Sequence, residues 1–121
     1  MKALSVRPPW AWAILHAGKT VENRARPTQY RGPLVIHSAR TITPLERFPT
    51  GEPVPPAAVE VLGALVGVVQ LVDCLPLPDC PPSPWAVGPW CWLLADPRPL
   101  ARPVPFAGQI TFFDVPEELI R

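Results

Sequence analysis

The chain has 121 residues, 48% of them apolar and 17% charged, and a formal net charge of +1. That length suits a single domain, 1–121, able to bury an ordinary core without disulfides, and the apolar content excludes a disordered chain despite 20 prolines. The near-neutral balance excludes a polycation that grips duplex nucleic acid non-specifically.

Lys2 to Val6 reads as a strand that Pro8-Pro9 ends, with Pro9 suited to the first helical position. Trp10 to Ala17 is apolar nearly all round except for His16, which predicts a short buried helix, and Gly18 is its expected left-handed cap. Thr20 to Arg26 reads as a second strand with Thr20, Glu22, Arg24 and Arg26 on one face and Val21, Asn23 and Ala25 on the other. Pro27 to Tyr30 is a turn, and Gly32 to Ser38 a third strand with Leu34 and Ile36 opposite Val35 and His37. Residues 41–53 are irregular, and a short helix is expected after Pro55-Pro56. Gly63 to Leu75 is a long β run in which Gly67 marks a bulge or a close approach. Segments 76–89 and 97–105 hold clustered prolines and read as rigid loops, a trait that suits a thermostable protein but that a GC-rich genome would also produce. Trp90 to Ala95 and Ile110 to Val115 are the last strands, and Pro116 to Arg121 makes a final helical turn. The sum is an α+β, mainly β fold: a small mixed barrel of about six strands with one early buried helix and one or two short ones. Trp10, Ile14, Val35, Ile36, Val66, Val68, Leu93 and Phe112 are its expected core, and the early helix should plug or cover the barrel.

The charge is lopsided. Residues 1–47 carry eight Lys/Arg against two Glu, and residues 48–121 three Arg against eight Asp/Glu. A positive rim is therefore expected from Lys19, Arg24 and Arg26, joined by Arg31 or Arg40. Lys19, Thr20, Glu22 and Arg24 form a compact polar cluster beside Trp10 and Trp12. A nucleobase has a flat apolar face on which an aromatic ring stacks and a polar edge that carboxylate and guanidinium groups read. Glu22 can accept from an exocyclic amine, Arg24 can donate to a ring carbonyl or pair with Glu22, and Lys19, Arg26 and Arg31 can meet phosphate. The bland alternative is a solvated strand face on which Lys19 and Glu22 form an exposed pair of little energetic weight.

Trp10 and Trp12 point about 200° apart on a helix, so at most one faces a cleft; Trp10 is expected to pack inward, leaving Trp12 as the candidate. Trp90 and Trp92 fit the barrel wall, and Trp85, in the proline-rich loop, is the exception that could stack. His37 and Ser38, at a strand end, serve either a hydrogen-bonded terminus or the cleft; His16 is structural or exposed. No Ser-His-Asp spacing suggests a hydrolase triad. Cys74, Cys80 and Cys91 lack paired ligand spacing, so buried free thiols are preferred to a zinc site, and neither metal nor cofactor is expected. Met1 to Trp10 has no secretory apolar run, and Val61 to Val69 is shorter than the ~20 residues of a membrane span. A cytoplasmic protein without a membrane partner is expected.

The stretch Leu4-Ser5-Val6-Arg7-Pro8-Pro9-Trp10-Ala11, then Gly18-Lys19-Thr20-Val21-Glu22-Asn23-Arg24, then Tyr30 to Ser38 resembles the ASCH domain family, a branch of the PUA-like barrels. The resemblance continues more weakly to Pro116. It implies a PUA-like barrel whose motif lines a cleft between barrel and helix, with RNA or a nucleoside-like ligand as partner and Trp12, Lys19, Thr20, Glu22, Arg24, Arg26, His37 and Ser38 as ligand-binding residues. Some small members are amidohydrolases that deacetylate acetylcytidine, and Lys19 matches their lysine. Glu22 stands where they carry the nucleophilic threonine, so their mechanism does not transfer intact. Asp73 and Asp114 are conceivable counterparts of their further acid. Lys19 and Glu22 are the catalytic candidates if the chain is an enzyme, either a hydrolase of a modified nucleoside or a ribonuclease. A protein-interaction module using the acidic carboxyl-terminal half is the remaining alternative.

Overall fold

β-Branched and apolar residues at alternating positions make Lys2–Val6 (β1) and Gly32–Ser38 (β3) neighbouring parallel strands, with Ser5 opposite His37 and Leu4 opposite Ile36. The computed structural model describes residues 1–120. The connection between these strands holds the α-helix Trp10–His16 (α1) and the short strand Val21–Arg24 (β2). Ala64–Pro76 (β4) and Trp90–Pro105 (β5) form a long antiparallel pair, and Phe113–Asp114 (β6) returns beside β1. Single 3₁₀ turns occupy Pro56–Val59, Leu77–Asp79 and Glu117–Leu119.

Among the described residues the strands form one open, mixed, six-stranded sheet in the order β2-β5-β4-β3-β1-β6. The closed barrel expected from the sequence is therefore corrected. Its would-be closing strands are β2, with four residues, and β6, with two, and each pairs on one side only. The mainly β character and the early helix stand.

Both faces of the central strands are buried. On one, Leu4, Val6, Leu34, Ile36, Val69 and Leu71 pack against Ala11, Ile14 and Leu15 of α1. On the other, Ala3, Val35, Leu65 and Val68 pack against Phe113, Val115 and Ile120. The helix thus covers the sheet, as expected. Gly67 lets it do so: a Cβ there would lie 2.5 Å from Leu15 Cδ2 and 3.0 Å from the Arg98 carbonyl. Of the expected core, Ile14, Val35, Ile36 and Val68 are buried, whereas Trp10, Val66, Leu93 and Phe112 are half-buried.

Three element boundaries differ from expectation. β2 stops at Arg24, leaving Arg26 beyond it. The final strand shrinks from 110–115 to Phe113–Asp114. The proline-rich 97–105 segment is strand, not loop: β5 is flanked by β2 only at residues 90–93, so its later part is an edge, where prolines without N–H donors are tolerated. No described helix is long and apolar enough to cross a membrane.

Candidate functional site

α1 ends at His16, and Gly18, at φ 73°, turns the chain so that the Lys19 N–H bonds the Ala13 carbonyl at 3.1 Å. This turn directs Lys19 inward, where the residue is only 4% exposed. Its ammonium donates to the Val21 carbonyl and stands 3.8 Å from Glu22 Oε1. It also lies 5.5 Å and 5.7 Å from the ring centroids of Trp10 and Trp85. Burial holds the Lys19 pKa below the ordinary lysine value, against the opposing pull of Glu22. Glu22 is 8% exposed, and its Oε2 receives Arg24 Nη1 at 3.3 Å. The Arg24 guanidinium lies 5.7 Å from the Trp92 ring centroid. The bland alternative, an exposed Lys19–Glu22 pair on a solvated strand face, does not hold: the pair is buried, with the Trp85 ring beside it.

Asn23 holds that loop. Its Nδ2 donates to the Trp85 carbonyl at 2.9 Å, and its Oδ1 accepts the N–H groups of Val87 and Gly88, each at 2.9 Å. Trp85 then meets Trp10 edge-on at 6.4 Å, while Phe48 backs both rings at 5.6 and 6.2 Å. The outcome is a cleft of about 640 Å³ with Arg7, Trp10, Lys19, Glu22, Arg24 and Trp85 in its wall. Its chemistry pairs aromatic surface with one carboxylate and guanidinium donors, the combination that can sandwich a flat ring and read its edge.

The expected site residues divide. Lys19, Glu22 and Arg24 come together in the cleft wall. Trp12 does not: it stacks on Phe48 at 6.2 Å and 4° and lines a separate small cavity, so Trp10 takes the cleft position expected of it. The two do diverge, but the Trp85 loop packs on the Trp10 side. Thr20 is exposed and outside the cleft wall, its carbonyl receiving the Leu94 N–H. Arg26, past the end of β2, is exposed and offers its carbonyl to Trp92 Nε1 at 3.1 Å. Ser38 is buried and donates to the Val61 carbonyl at 2.7 Å. His37 is buried beside a neighbouring cavity of about 690 Å³ rather than in the cleft wall.

The expected rim divides likewise. Arg31 binds Thr28 and Tyr30 carbonyls and Asp73 instead, and Arg40 lines the neighbouring cavity. Arg7, Asn23 and Gln109 line the cleft without having been singled out. Asn23 carried a signal: asparagine is disfavoured in strands and needs a reason to be there. Arg7, at the end of β1 before two prolines, carried none beyond its charge. Cys91 is buried and its pKa is raised, first by burial and then by the neighbouring Cys80 thiol. Among the described residues no three His, Cys, Asp or Glu side chains converge as a metal site.

The family model for the ASCH domain matches residues 4–86, a span that runs from β1 to the Trp85 loop. No curated protein matches the chain. The chain belongs to the ASCH domain family.

Proposed function

From membership of the ASCH family and from the cleft geometry we propose that the chain binds RNA, or a nucleotide-like ligand, in the cleft around Lys19, Glu22 and Arg24. The family is generally associated with RNA binding. The observation that carries the reading is the convergence of Trp10, Trp85, Glu22, Arg24 and Arg7 on one concave surface. Glu22 presents a carboxylate already fixed from two sides, so it can accept from a base edge without paying to become ordered. Lys19 is too enclosed to meet a phosphate and serves to hold Glu22; Arg7, exposed, and Arg24, whose side chain is 26% exposed, are the phosphate or edge donors. Residues 1–121 act as one domain in this reading, since every strand among the described residues joins one sheet.

The amidohydrolase reading keeps Lys19 but has Glu22 where those enzymes carry their threonine; Thr20 is exposed outside the cleft wall, and the threonine within that wall, Thr43, lies in a segment remote in sequence from the Lys19 motif. Binding is therefore preferred. The test is calorimetric titration with nucleosides and with short single-stranded RNAs, on the wild type and on Arg24→Gln. Saturable binding that Arg24→Gln weakens by about 1.5–3 kcal/mol, the range for a hydrogen bond to a charged group, is expected. No binding by any of these ligands would refute the reading.

A further inference from the structure

The neighbouring cavity shares Ser5, Ala39, Gln109 and Ile110 with the cleft, so Ser5 stands where the two open into each other. Directly across the parallel β1–β3 ladder from Ser5 is His37. Ser5 Oγ and His37 Nδ1 are 2.7 Å apart, and His37 Nε2 is 2.7 Å from the carbonyl oxygen of Phe106. A carbonyl only accepts, so Nε2 carries the proton. In the neutral ring Nδ1 then bears the lone pair, and the Ser5 hydroxyl donates to it. The imidazole is 2% exposed and meets the Phe113 ring edge-on at 5.8 Å, which fixes its plane. Backbone at Gly108 closes onto the pair: a Cβ there would lie 2.6 Å from His37 Cε1 and collide with Ser5 Oγ. The backbone ladder already joins β1 to β3, so their cohesion does not need a buried histidine.

A serine that lines two cavities, a base aimed at its hydroxyl, and a third group fixing the base's tautomer together make the arrangement of an activated nucleophile. We propose that Ser5 is such a nucleophile, with His37 as its general base and the Phe106 carbonyl as the orienting group, and that it cleaves carboxylic esters reaching the junction of the two cavities. Arg7 on the cleft side and Arg40 on the other favour an anionic ester. In the first step Ser5 Oγ bonds to the acyl carbon and its proton passes to Nδ1. The acyl–alkoxy bond then breaks, and the departing alkoxide takes that proton as an alcohol. Water next attacks the acyl-serine, its proton passing through Nδ1 back to Ser5 Oγ as the carboxylic acid leaves. The sum is ester plus water to acid plus alcohol. A neutral carbonyl stabilises the transient imidazolium less than a carboxylate would, so turnover is slow compared with a complete triad. This proposal does not depend on RNA binding.

The experiment treats the full chain with an alkyl fluorophosphonate, whose phosphorus–fluorine bond a serine nucleophile replaces, and maps adducts by peptide mass spectrometry. One adduct on Ser5 of the wild type is expected, forming at least ~100-fold more slowly in His37→Asn, the lower end of what a general base supplies. Folded wild-type protein with no adduct on Ser5 overturns the proposal, as does an unchanged rate in His37→Asn. Where His37→Asn does not fold, hydrolysis of p-nitrophenyl acetate by wild type and Ser5→Ala decides: loss in Ser5→Ala supports the proposal and equal rates overturn it.

Discussion

Lys19 and Glu22 are a buried pair with unequal partners, and the inequality predicts unequal mutants. Glu22 has two cations, so removing Lys19 leaves it paired with Arg24. Removing Glu22 leaves Lys19 enclosed with a carbonyl and two ring faces. Glu22→Leu should cost about 3–5 kcal/mol, as breaking a buried pair does. Lys19→Met should cost far less, because burial already disfavours the lysine's charge. The pH dependence has a definite sign. Lys19 has a lowered pKa in the fold, so between that value and the ordinary one the unfolded chain binds more protons, and stability rises with pH. Denaturant unfolding should therefore show wild type gaining on Lys19→Met between neutral and alkaline pH. Asn23 makes a separate prediction. Asn23→Ala leaves the Trp85 carbonyl and two N–H groups without their partner and should cost about 1–3 kcal/mol while loosening Trp85. The charged cluster was legible in the sequence because charge beside tryptophans is costly unless used. Asn23's role was not, because its partners lie 62 to 65 residues away. Nor was the choice of Trp10 over Trp12, which depends on the side on which that distant loop packs.

At the scale of elements, the seating of α1 on β4 rests on Gly67. Gly67→Ala would drive a methyl into Leu15 and against the Arg98 carbonyl, and overpacking of this kind should lower stability by about 1–3 kcal/mol, measured by denaturant midpoint. Its close approach was readable, because an isolated glycine in an apolar strand run has few other uses. β1, α1 and β3 were readable for the same kind of local reason: periodicity, prolines and a glycine stop. The long β5 was not. Its prolines at 97, 99, 103 and 105 argue locally for a loop, and only pairing with β4 on one side makes them acceptable. The open sheet was equally hidden, because closure depends on how long β2 and β6 become, and six short strands fit either outcome.

For the whole molecule, the uneven charge resolves into a narrower pattern than the sequence suggested. Arg7, Lys19 and Arg24 reach the cleft and Arg40 the adjoining cavity, while Arg31 pairs with Asp73 and Arg26 is exposed outside the cleft wall. Lys2–Asp114 and Arg31–Asp73 are exposed pairs, each contributing roughly 0–1 kcal/mol, so these charges add little to stability. A ligand anchored by so few cations should show a shallow salt dependence, with a slope near 0.7 per phosphate contacted. The most direct measurement is the affinity of a labelled single-stranded RNA for the wild type and for Arg7→Gln/Arg24→Gln, followed by anisotropy across a range of salt. Both side chains are outside the core, so the doubly substituted protein should fold normally. The account predicts affinity at least about tenfold weaker and a salt slope reduced by up to about 1.4. Unchanged affinity and slope would contradict the assignment of this cleft as the binding site.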